Sequence, residues 1–427
     1  MMYRPDSQVY WYLETPKSKP LNGYIAADVV IVGGGMAGLS AAQEWHKKGK
    51  KVVLVEQYYC GAGATGKGSG FITPDSEIPL RGFVSRFGDD KAKKLWEFVV
   101  SGCSHIKQTI SEQDLSCDYN VQDTLVVAND ISSFKELKEE DAIRKKYGYP
   151  STLYTKSQLS PVLNSNGYYG GVRYPDTFGI NAAHYCAQLK NKLIEQGIQI
   201  YEETPAIKIE NNMVYTPHGS IKAEQVIVCA DRFMPQLGLL TDQVFHAQTF
   251  LMISEPLTDE QIKAIFPEKL MMVWDTDLIY SYFRITGDKR LLLGGASILN
   301  TYDKNAKLFS QRIYNKLDRY FALRFKTVKP VFSFFWPGLI GVSKDLVPIA
   351  GPDKNKPWLF YVTAATGLPW AAALGKYSAD YYLHNNHSMQ EFFSPYRSFY
   401  ISGITQKILG TRISFVLSHA IEKFIKE

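Results

Sequence analysis

The feature that most constrains the fold of this sequence is the stretch Ala27–Glu56. It opens with Val29–Val32, an apolar, β-branched run, which predicts a strand buried on both faces of a parallel sheet. The segment Leu39–Lys48 then predicts a helix, and Val52–Val55 predicts a second buried strand. Together these segments predict a strand–helix–strand unit of an α/β fold.

Three glycines and one acid give this unit a predicted binding function. Gly33, Gly35 and Gly38 form the pattern G-x-G-x-x-G. The first permits a tight turn, the second lets a pyrophosphate approach the backbone, and the third lets helix and strand pack closely. The helix N-terminus offers N–H groups and roughly half a positive charge to that pyrophosphate. Glu56 ends the second strand, where an acid accepts hydrogen bonds from both hydroxyls of an adenosine ribose. An acid there would repel a 2′-phosphate, so we predict a dinucleotide site that excludes NADP.

Length and composition limit the class of protein. A chain of 427 residues can hold two domains, and its 45% hydrophobic and 13% aromatic content is that of a globular protein. The formal charge of +6 is spread along the chain, which argues against nucleic-acid binding.

The five cysteines show no C-x-x-C or His-paired spacing, so we expect a reducing compartment, no disulfide frame and no metal site. The N-terminal segment lacks the apolar core of a signal peptide, and no run is long enough to span a bilayer. We expect a cytoplasmic protein, at most peripheral on the inner face of a membrane.

A second glycine-rich segment follows at Cys60–Asp75. It contains another G-x-G-x-x-G at Gly61, Gly63 and Gly66, but no strand run precedes it and no capped helix clearly follows it. We therefore interpret the repeated motif as a coincidence and not as a second nucleotide fingerprint. A backbone so rich in glycine instead predicts a loop that lies close against a flat ligand.

The rest of the chain predicts two sheets. A long helix is expected at Asp89–Glu112, and Gln225–Cys229 resembles a further buried parallel strand, so the first sheet is assembled from distant segments. From Gln248 to Ala296 the pattern alternates around a turn at Gly287-Asp288, which predicts an antiparallel meander. We expect an α/β protein (α+β overall) with a Rossmann-like FAD/NAD(P)-binding domain around a central parallel sheet, plus an antiparallel-sheet substrate domain. The expected domains are a discontinuous dinucleotide-binding domain of residues 1–85, 150–232 and 326–393, a substrate domain of residues 86–149 and 233–325, and an amphipathic helical tail of residues 394–427.

The tail has apolar residues at helical spacing with basic residues between them. The apolar positions are Leu409, Ile413, Val416, Leu417, Ile421 and Ile425. Such a helix could dock on the core of the protein, or it could lie on a membrane face or a partner. Both interpretations stay open.

Several motifs, in order along nearly the whole chain, resemble one family. They are VYWYLET near the start, the Gly33–Glu56 fingerprint, GAGATGKGSG at Gly61–Gly70, VWDTDLIYSYFRITGDKRLLLGGA at Val273–Ala296, WPGLIGVSKDLVPIAGP at Trp336–Pro352, and a glycine-led helix at Gly367. The sequence resembles the FAD-dependent D-amino acid oxidase superfamily, and within it the branch of γ-glutamylputrescine oxidase-like and glycine or D-amino acid oxidase-like proteins.

The chain also departs from the pattern of that branch. The branch usually has G-A-S-G-R-N-G-G where this chain has GATGKGSG. Lys67 therefore replaces an arginine, which keeps the charge and loses the forked hydrogen bonding, and Gly68 replaces an asparagine. The family's T-P-D-G-L-P appears within Val342–Pro348, and Gly367 is followed by Leu-Pro-Trp in place of a G-H-G type turn. Because these changes lie where the resemblance puts the flavin ring, a flavin-binding protein with little turnover stays an alternative.

The resemblance implies FAD and oxidation of the C–N bond of an amine or amino acid to an imine, which then hydrolyses. Some relatives link the flavin covalently through a Cys or His, but Cys60 does not match such a motif, so we expect non-covalent FAD. In such enzymes the flavin accepts a hydride equivalent at N5, and the protein supplies orientation and electrostatics. An alkyl amine has a pKa of roughly 10 in solution, so a dry, aromatic site must lower that pKa for the amine to bind neutral. Oxygen or a quinone would be the electron acceptor, and an oxidase and a membrane-linked dehydrogenase are both compatible with the sequence.

Five side chains are candidates for the chemistry. Tyr280, Tyr282 and Arg284 alternate along a predicted strand and would share one face, where Arg284 would bind a substrate carboxylate or act as a structural ion-pair residue. Trp370 would close the pocket or serve as a core aromatic residue. Lys344, like Lys67, would lie as a cation near the flavin N1–C2=O locus or be a solvated surface residue.

The resemblance also implies a set of cofactor-binding residues. They are Gly33, Gly35, Met36, Ala37, Gly38, Glu56, Gln57, Gly63, Ala64, Thr65, Gly66, Lys67, Gly68, Ser69, Gly70, Ala206, Ile207, Ala230, Gly341, Gly367 and Leu368.

Overall fold

The computed structural model describes residues 9–12, 16–75, 77–277, 279–295 and 309–399, together with the isolated positions 405, 406, 408 and 417. Most of the tail expected over residues 394–427 lies outside these residues. Within the described part of the chain, no helix combines the length and the apolar character that a membrane crossing requires. The peripheral membrane contact expected of the tail concerns residues that lie mostly outside the described part of the chain, so it stays a prediction.

The described residues form both strands and helices. The strands are β1 (Gly23–Val32), β2 (Val52–Val55), β3 (Phe71–Ile72), β4 (Asn120–Val121), β5 (Asp123–Val127), β6 (Thr152–Thr155), β7 (Gly170–Tyr174), β8 (Phe178–Gly179), β9 (Gln199–Tyr201), β10 (Lys208–Glu210), β11 (Met213–Thr216), β12 (Gly219–Val228), β13 (Phe245–Pro256), β14 (Met271–Asp275), β15 (Tyr282–Ile285), β16 (Arg290–Gly295), β17 (Phe332–Val342), β18 (Ile349–Pro352) and β19 (Leu359–Thr363). The α-helices are α1 (Met36–Lys47), α2 (Ala64–Lys67), α3 (Leu80–Phe87), α4 (Asp89–Glu112), α5 (Ile131–Lys146), α6 (Lys156–Leu159), α7 (Ala182–Glu195), α8 (Asp259–Ile265), α9 (Gln311–Arg324), α10 (Leu368–Leu383) and α11 (Gln390–Phe393), and Asp231–Leu237 is a short 3₁₀ helix.

The first sheet is built around the predicted strand–helix–strand unit. Its strands lie in the order β10-β11-β12-β1-β2-β9, and β19 pairs with β12 and with β18. β1 runs parallel to both neighbours, with Val30 opposite Val226 on one side and Val53 on the other. The unit therefore folds as predicted, and its strands are assembled from segments far apart in the chain.

Both faces of this sheet are buried. Alternate residues of β1 contribute to two separate hydrophobic clusters: Val29 and Ile31 pack under the helices α1, α4, α7 and α10, and Val30 and Val32 pack on the other face. A strand covered on both sides has no solvent face, which explains the unbroken apolar runs in the sequence.

The second sheet is mixed but mostly antiparallel. Its order is β17-β13-β16-β15-β14-β5-β7-β6, in which only the described pair β5 and β14 is parallel. The predicted meander is confirmed in β13 to β16. Its third strand is shorter than predicted, because regular pairing begins at Tyr282 and Tyr280 precedes it. The protein is thus a mixed α/β fold, as expected.

The sheets divide the chain differently from the expected domains. β6, β7 and β17 were expected with the dinucleotide-binding domain, yet all three belong to the second sheet. Helix α4, expected with the substrate domain, packs against α10 and α3 in the core that covers the first sheet. Strand and helix partners come from remote segments, so local patterns did not reveal them. The domain boundaries as a whole remain a prediction.

Helices α1, α4 and α10 approach one another closely because glycines lie at their contacts. A Cβ added to Gly375 of α10 would lie 2.1 Å from the Ala37 carbonyl oxygen of α1. A Cβ on Gly102 of α4 would lie 2.0 Å from the Pro369 carbonyl oxygen. These contacts hold the middle of α10 against the first turn of α1, and the N-terminus of α10 against α4.

Candidate active site

A single large cavity of about 1280 Å³ runs from the first sheet to the second. This volume exceeds the roughly 300–1,000 Å³ of ordinary small-molecule pockets. One end lies at Glu56, after β2, and the other lies against β14, β15 and α5. The cavity has the size and elongated course that a dinucleotide with a second, smaller ligand would require.

Glu56 anchors the first end of the cavity. Its carboxylate accepts hydrogen bonds from the Gly34 N–H at 2.7 Å and the Tyr58 N–H at 2.9 Å. Burial raises the pKa of Glu56, and these backbone donors oppose the rise. Each carboxylate oxygen keeps further acceptor capacity, which suits the two hydroxyls of a ribose. Gln57, Ala206 and Ile207 line the same end.

The first glycine turn has the geometry that the sequence predicts. Gly33 has φ of +110°, and a Cβ there would lie 2.5 Å from the Cys229 carbonyl oxygen. A Cβ on Gly38 would lie 1.8 Å from the Gly33 carbonyl oxygen, so Gly38 is needed for packing and does not line the cavity. Gly35 is the N-cap of α1, and no side chain caps it. Gly35, Met36 and Ala37 line the cavity, so the first turn of α1 faces the ligand space.

The second glycine motif has the same turn and the same close packing as the first. Gly61 has φ of +87°, and a Cβ on Gly66 would lie 2.3 Å from the Gly61 carbonyl oxygen. The short helix α2 follows the turn, and its N-cap Gly63 has no side-chain cap, in line with the expectation that no capped helix follows. The residues of the loop that line the cavity are Gly63, Ala64, Thr65, Lys67, Gly68, Ser69 and Gly70. Gly66 lies behind them for the same packing reason as Gly38.

Arg284 does not lie where the sequence predicts. It shares the strand face of Tyr282, but the glycine loop and Gly179 cover it, so it does not line the cavity. Its Nε donates to the Ser69 carbonyl at 2.8 Å, and its Nη2 donates to the Ile180 carbonyl at 2.8 Å. The side chain is fully buried, and burial lowers its pKa to about 10. Arg284 therefore holds loop segments together, which favours the structural alternative, and the carboxylate contact stays a prediction.

Tyr280 and Tyr282 do line the cavity, within a group that we call the aromatic wall: Phe71, Trp274, Tyr280 and Tyr282. The ring centroids of successive members, taken in the order Phe71, Trp274, Tyr280, Tyr282 and back to Phe71, lie 5.8, 6.3, 5.7 and 5.9 Å apart. The Tyr280 hydroxyl donates to Glu77 Oε1 at 3.0 Å. Burial raises the pKa of Tyr282 to about 12, so its hydroxyl stays protonated at neutral pH.

The N-terminus of α10 forms another part of the wall. Gly367 has φ of +125° and is its N-cap, and Gly367, Leu368 and Pro369 line the cavity. Trp370 is buried in the core, where its ring lies 6.2 Å from that of Phe83, which favours the expected core aromatic role over closing the pocket. The helical period explains the difference, because successive side chains project about a quarter turn apart.

Two residues predicted from the 336–352 region also lie outside the cavity wall. The Lys344 ammonium lies 5.4 Å from the Phe399 ring centroid, and burial lowers its pKa. The Gly341 N–H donates to Asp231 Oδ2 at 2.9 Å, so Gly341 holds Asp231 while its neighbours Ile340 and Val342 face the cavity. Lys67 does line the cavity, as expected, and burial is the main cause that lowers its pKa.

Sequence reasoning missed several lining residues. Asp231 and Arg232 follow β12 and line the cavity beside the predicted Ala230. Their position at the carboxyl end of a parallel strand was an available signal. Asp231 has φ of +44°, and burial raises its pKa. Thr73, Asp75 and Glu77 also line the cavity, and their alternation along the sequence would have placed them on one face.

The five cysteines are free and buried, and Cys60 does not line the cavity beside the glycine loop. Burial raises the pKa of its thiol well above the ordinary value. A neutral, covered thiol is a poor nucleophile.

Comparisons with known proteins agree with this geometry. The family described as "FAD dependent oxidoreductase" (DAO) matches residues 28–381. The chain is 28% identical over 288 residues to "Probable oxidoreductase OrdL" of Haemophilus influenzae (65% of this chain, 67% of that protein). It is 25% identical over 292 residues to "Gamma-glutamylputrescine oxidoreductase" of Escherichia coli (66% and 67%). The crystal structure of glycine oxidase from Geobacillus kaustophilus superposes with a TM-score of 0.75 and 16% identity, covering 88% of this chain and all of that one. The chain therefore belongs to the DAO family of FAD-dependent oxidoreductases.

Proposed function

We propose that the protein oxidises the C–N bond of an amine or amino acid to an imine, which water then hydrolyses. The observation that carries this proposal is the continuity of the cavity, which joins the Glu56 end to the aromatic wall. A dinucleotide held at the first end would thus share one enclosed space with a small molecule at the second. The names of the relatives, which include an oxidoreductase of γ-glutamylputrescine and a glycine oxidase, support the substrate class.

The residues of the first end fit FAD. Glu56 would accept hydrogen bonds from the ribose, and the turn at Gly33 with the first turn of α1 would hold the pyrophosphate. Most residues of the 63–70 loop and the N-terminus of α10 line the cavity, and their glycines would let a flat ring approach the backbone closely. FAD supplies the capacity to accept two electrons and the hydrogen removed from carbon. Because Cys60 is covered, we propose that FAD is held without a covalent bond.

The chain would contribute orientation and a dry environment. The aromatic wall would place apolar rings around the amino group that is oxidised, and apolar surroundings disfavour the protonated form of an amine. The neutral amine has the lone pair that C–N oxidation requires, so no general base is needed. At the N-terminus of α10, backbone N–H groups and the helix dipole would stabilise negative charge that develops on the flavin ring.

The visible spectrum of the purified protein under anaerobic conditions tests this proposal. A flavin spectrum bleached by one member of a panel of amines and D- and L-amino acids would support amine oxidation. Re-oxidation by air would indicate oxygen as acceptor, and re-oxidation by a quinone alone would indicate a dehydrogenase. A flavin that every compound leaves oxidised would favour the alternative of a binding protein with little turnover, to which the changes at Lys67 and Gly68 point.

A further inference from the structure

The segment that follows the glycine loop forms one wall at the far end of the cavity. Its alternate residues Phe71, Thr73, Asp75 and Glu77 all line the cavity. Only Phe71 belongs to a strand, β3, and the other three follow it in an irregular segment. Along its length the wall changes from an aromatic ring to two carboxyl groups.

Acidic side chains also dominate the facing walls. Asp275 and Asp277 lie at and beyond the end of β14, and Glu136 and Glu140 project from α5, and all four line the cavity. Of the described lysine and arginine side chains that line the cavity, the one at this end is Arg81, and it pairs with Glu136 at 2.6 Å. We call this group of six carboxyl residues the acidic end: Asp75, Glu77, Glu136, Glu140, Asp275 and Asp277.

Arg144 lies behind the acidic end and balances only part of its charge. It donates to Asp75 Oδ1 at 2.5 Å and to Glu140 Oε1 at 2.7 Å, so one cation serves two carboxylates. The partner of Glu77 within the described residues is the Tyr280 hydroxyl, which is neutral. The acidic end therefore has more carboxylates than cations to match them.

Two buried polar atoms in this wall point to a missing hydrogen-bond donor. Asp75 Oδ2 and Thr73 Oγ1 have no hydrogen-bond partner among the described residues, although their side chains are only 6% and 3% exposed. Leaving a buried acceptor unsatisfied costs about 1–3 kcal/mol, and more for a charged group. Both residues line the cavity, so a donor bound there would satisfy them.

The aromatic wall adjoins the acidic end and suits the same kind of ligand. Phe71 belongs to both the aromatic wall and the 71–77 segment, and the Tyr280 hydroxyl bonds to Glu77. Aromatic faces attract cations, and they also pack well against methylene groups. The order of groups along the cavity is thus aromatic and then acidic, which matches an alkyl chain that ends in an ammonium group.

We propose that the acidic end binds the distal ammonium group of a diamine or polyamine substrate, with Asp75, Thr73 and Glu77 as its ligands. The inference rests on the proposed function, because the other amino group of that substrate would be the one oxidised. An ω-amino acid would bring a carboxylate towards the same acids and meet repulsion. Arg284, the predicted carboxylate partner, is covered and committed to two backbone carbonyls.

A matched series of ligands tests the charge at the distal position. The FAD-loaded enzyme is titrated calorimetrically under anaerobic conditions with putrescine, pentylamine and δ-aminovalerate, which carry an ammonium, a methyl and a carboxylate group after the same four methylenes. We expect putrescine to bind at least about tenfold more tightly than pentylamine, and δ-aminovalerate to bind most weakly. Equal binding of the first two, tighter binding of δ-aminovalerate, or no binding of putrescine would overturn the inference.

Single-residue variants locate the effect. Glu77→Gln keeps the shape and removes the charge, so it should reduce the preference for putrescine over pentylamine about tenfold while leaving the binding of pentylamine unchanged. Glu139 is an exposed acid on α5 and does not line the cavity, so Glu139→Gln should leave the preference unchanged. An unchanged preference in Glu77→Gln, or an equal loss in both variants, would refute the assignment. Asp75→Asn could fail to fold because it weakens the pair with Arg144, so Glu77 is the decisive position.

The same titrations separate this inference from the proposed function. If putrescine binds with the expected preference but the flavin stays oxidised, the amine oxidation is wrong and the ammonium site stands. If pentylamine or an amino acid reduces the flavin at least as efficiently as putrescine, the amine oxidation stands and the ammonium site is wrong.

Discussion

Replacing Arg284 by lysine tests whether this residue supports the fold or binds substrate. Its Nε and Nη2 each donate to a backbone carbonyl, Ser69 on one side and Ile180 on the other, at 2.8 Å. A lysine ammonium is a single donor centre and cannot reproduce both directions of the guanidinium. One buried carbonyl would therefore lose its partner, at a cost of about 1–3 kcal/mol. We expect Arg284→Lys to lower the unfolding midpoint of the FAD-loaded protein by about 2–5 °C.

The release of flavin fluorescence during heating measures that midpoint, and steady-state kinetics on the same sample supply the second readout. A structural role predicts that the midpoint falls while KM for a substrate without a carboxylate changes by less than about threefold. Arg312→Lys, an exchange at an exposed position of α9, serves as the control and should leave the midpoint unchanged. An unchanged midpoint in Arg284→Lys, combined with a large rise in KM for an amino acid, would refute the structural reading and restore the carboxylate role.

Three further predictions concern the cofactor and the acidic end. Glu56→Gln should weaken FAD binding by about 10- to 100-fold in fluorescence titrations of the apoprotein, because the amide cannot accept all the hydrogen bonds that the carboxylate accepts. A change of less than about twofold would contradict the role of Glu56 as the acceptor for the ribose hydroxyls. Gly38→Ala should destabilise the fold by about 1–3 kcal/mol in thermal unfolding, because its Cβ would lie 1.8 Å from the Gly33 carbonyl oxygen; wild-type stability would contradict the packing argument. Burial raises the pKa of Asp75 to about 6, with Arg144 opposing the rise and Glu140 adding to it. The ionised carboxylate binds the cation, so the affinity for putrescine should rise as the pH increases through about 6, and the affinity for pentylamine should rise less. Calorimetry between pH 5 and pH 8 compares the two affinities. Parallel pH profiles for the two ligands would count against a role for Asp75.

The first sheet and its glycine turn were predictable because their constraints are local. The turn at Gly33 needs a positive φ, and Gly38 must lack a Cβ five residues later, so the requirement lies within one short segment. Likewise α4 begins and ends where predicted, at Asp89 and Glu112, since its helical period continues over the whole segment. Such signals do not depend on what the segment packs against.

The positions of β7 and Trp370 required the tertiary structure. β7 pairs with β5, with Thr124 opposite Tyr174, and nothing within either segment specifies that partner. Trp370 is one of several apolar residues on α10, and only the packing of α4 and α3 against that helix decides which of them are buried and which face the cavity. Partner choice between remote segments is a property of the whole chain.

The sequence by itself determined a dinucleotide-binding unit, its acid at Glu56, and the alternation that puts Tyr282 and Arg284 on one strand face. The tertiary structure alone decided what covers that face: Tyr282 meets the cavity, whereas Arg284 meets the carbonyls of two loop segments. It also brought Asp75 and Glu77 together with the acids of β14 and α5. The physical reason is that periodicity specifies the direction of a side chain along its own segment, but the charge and polarity that it meets come from segments elsewhere in the chain.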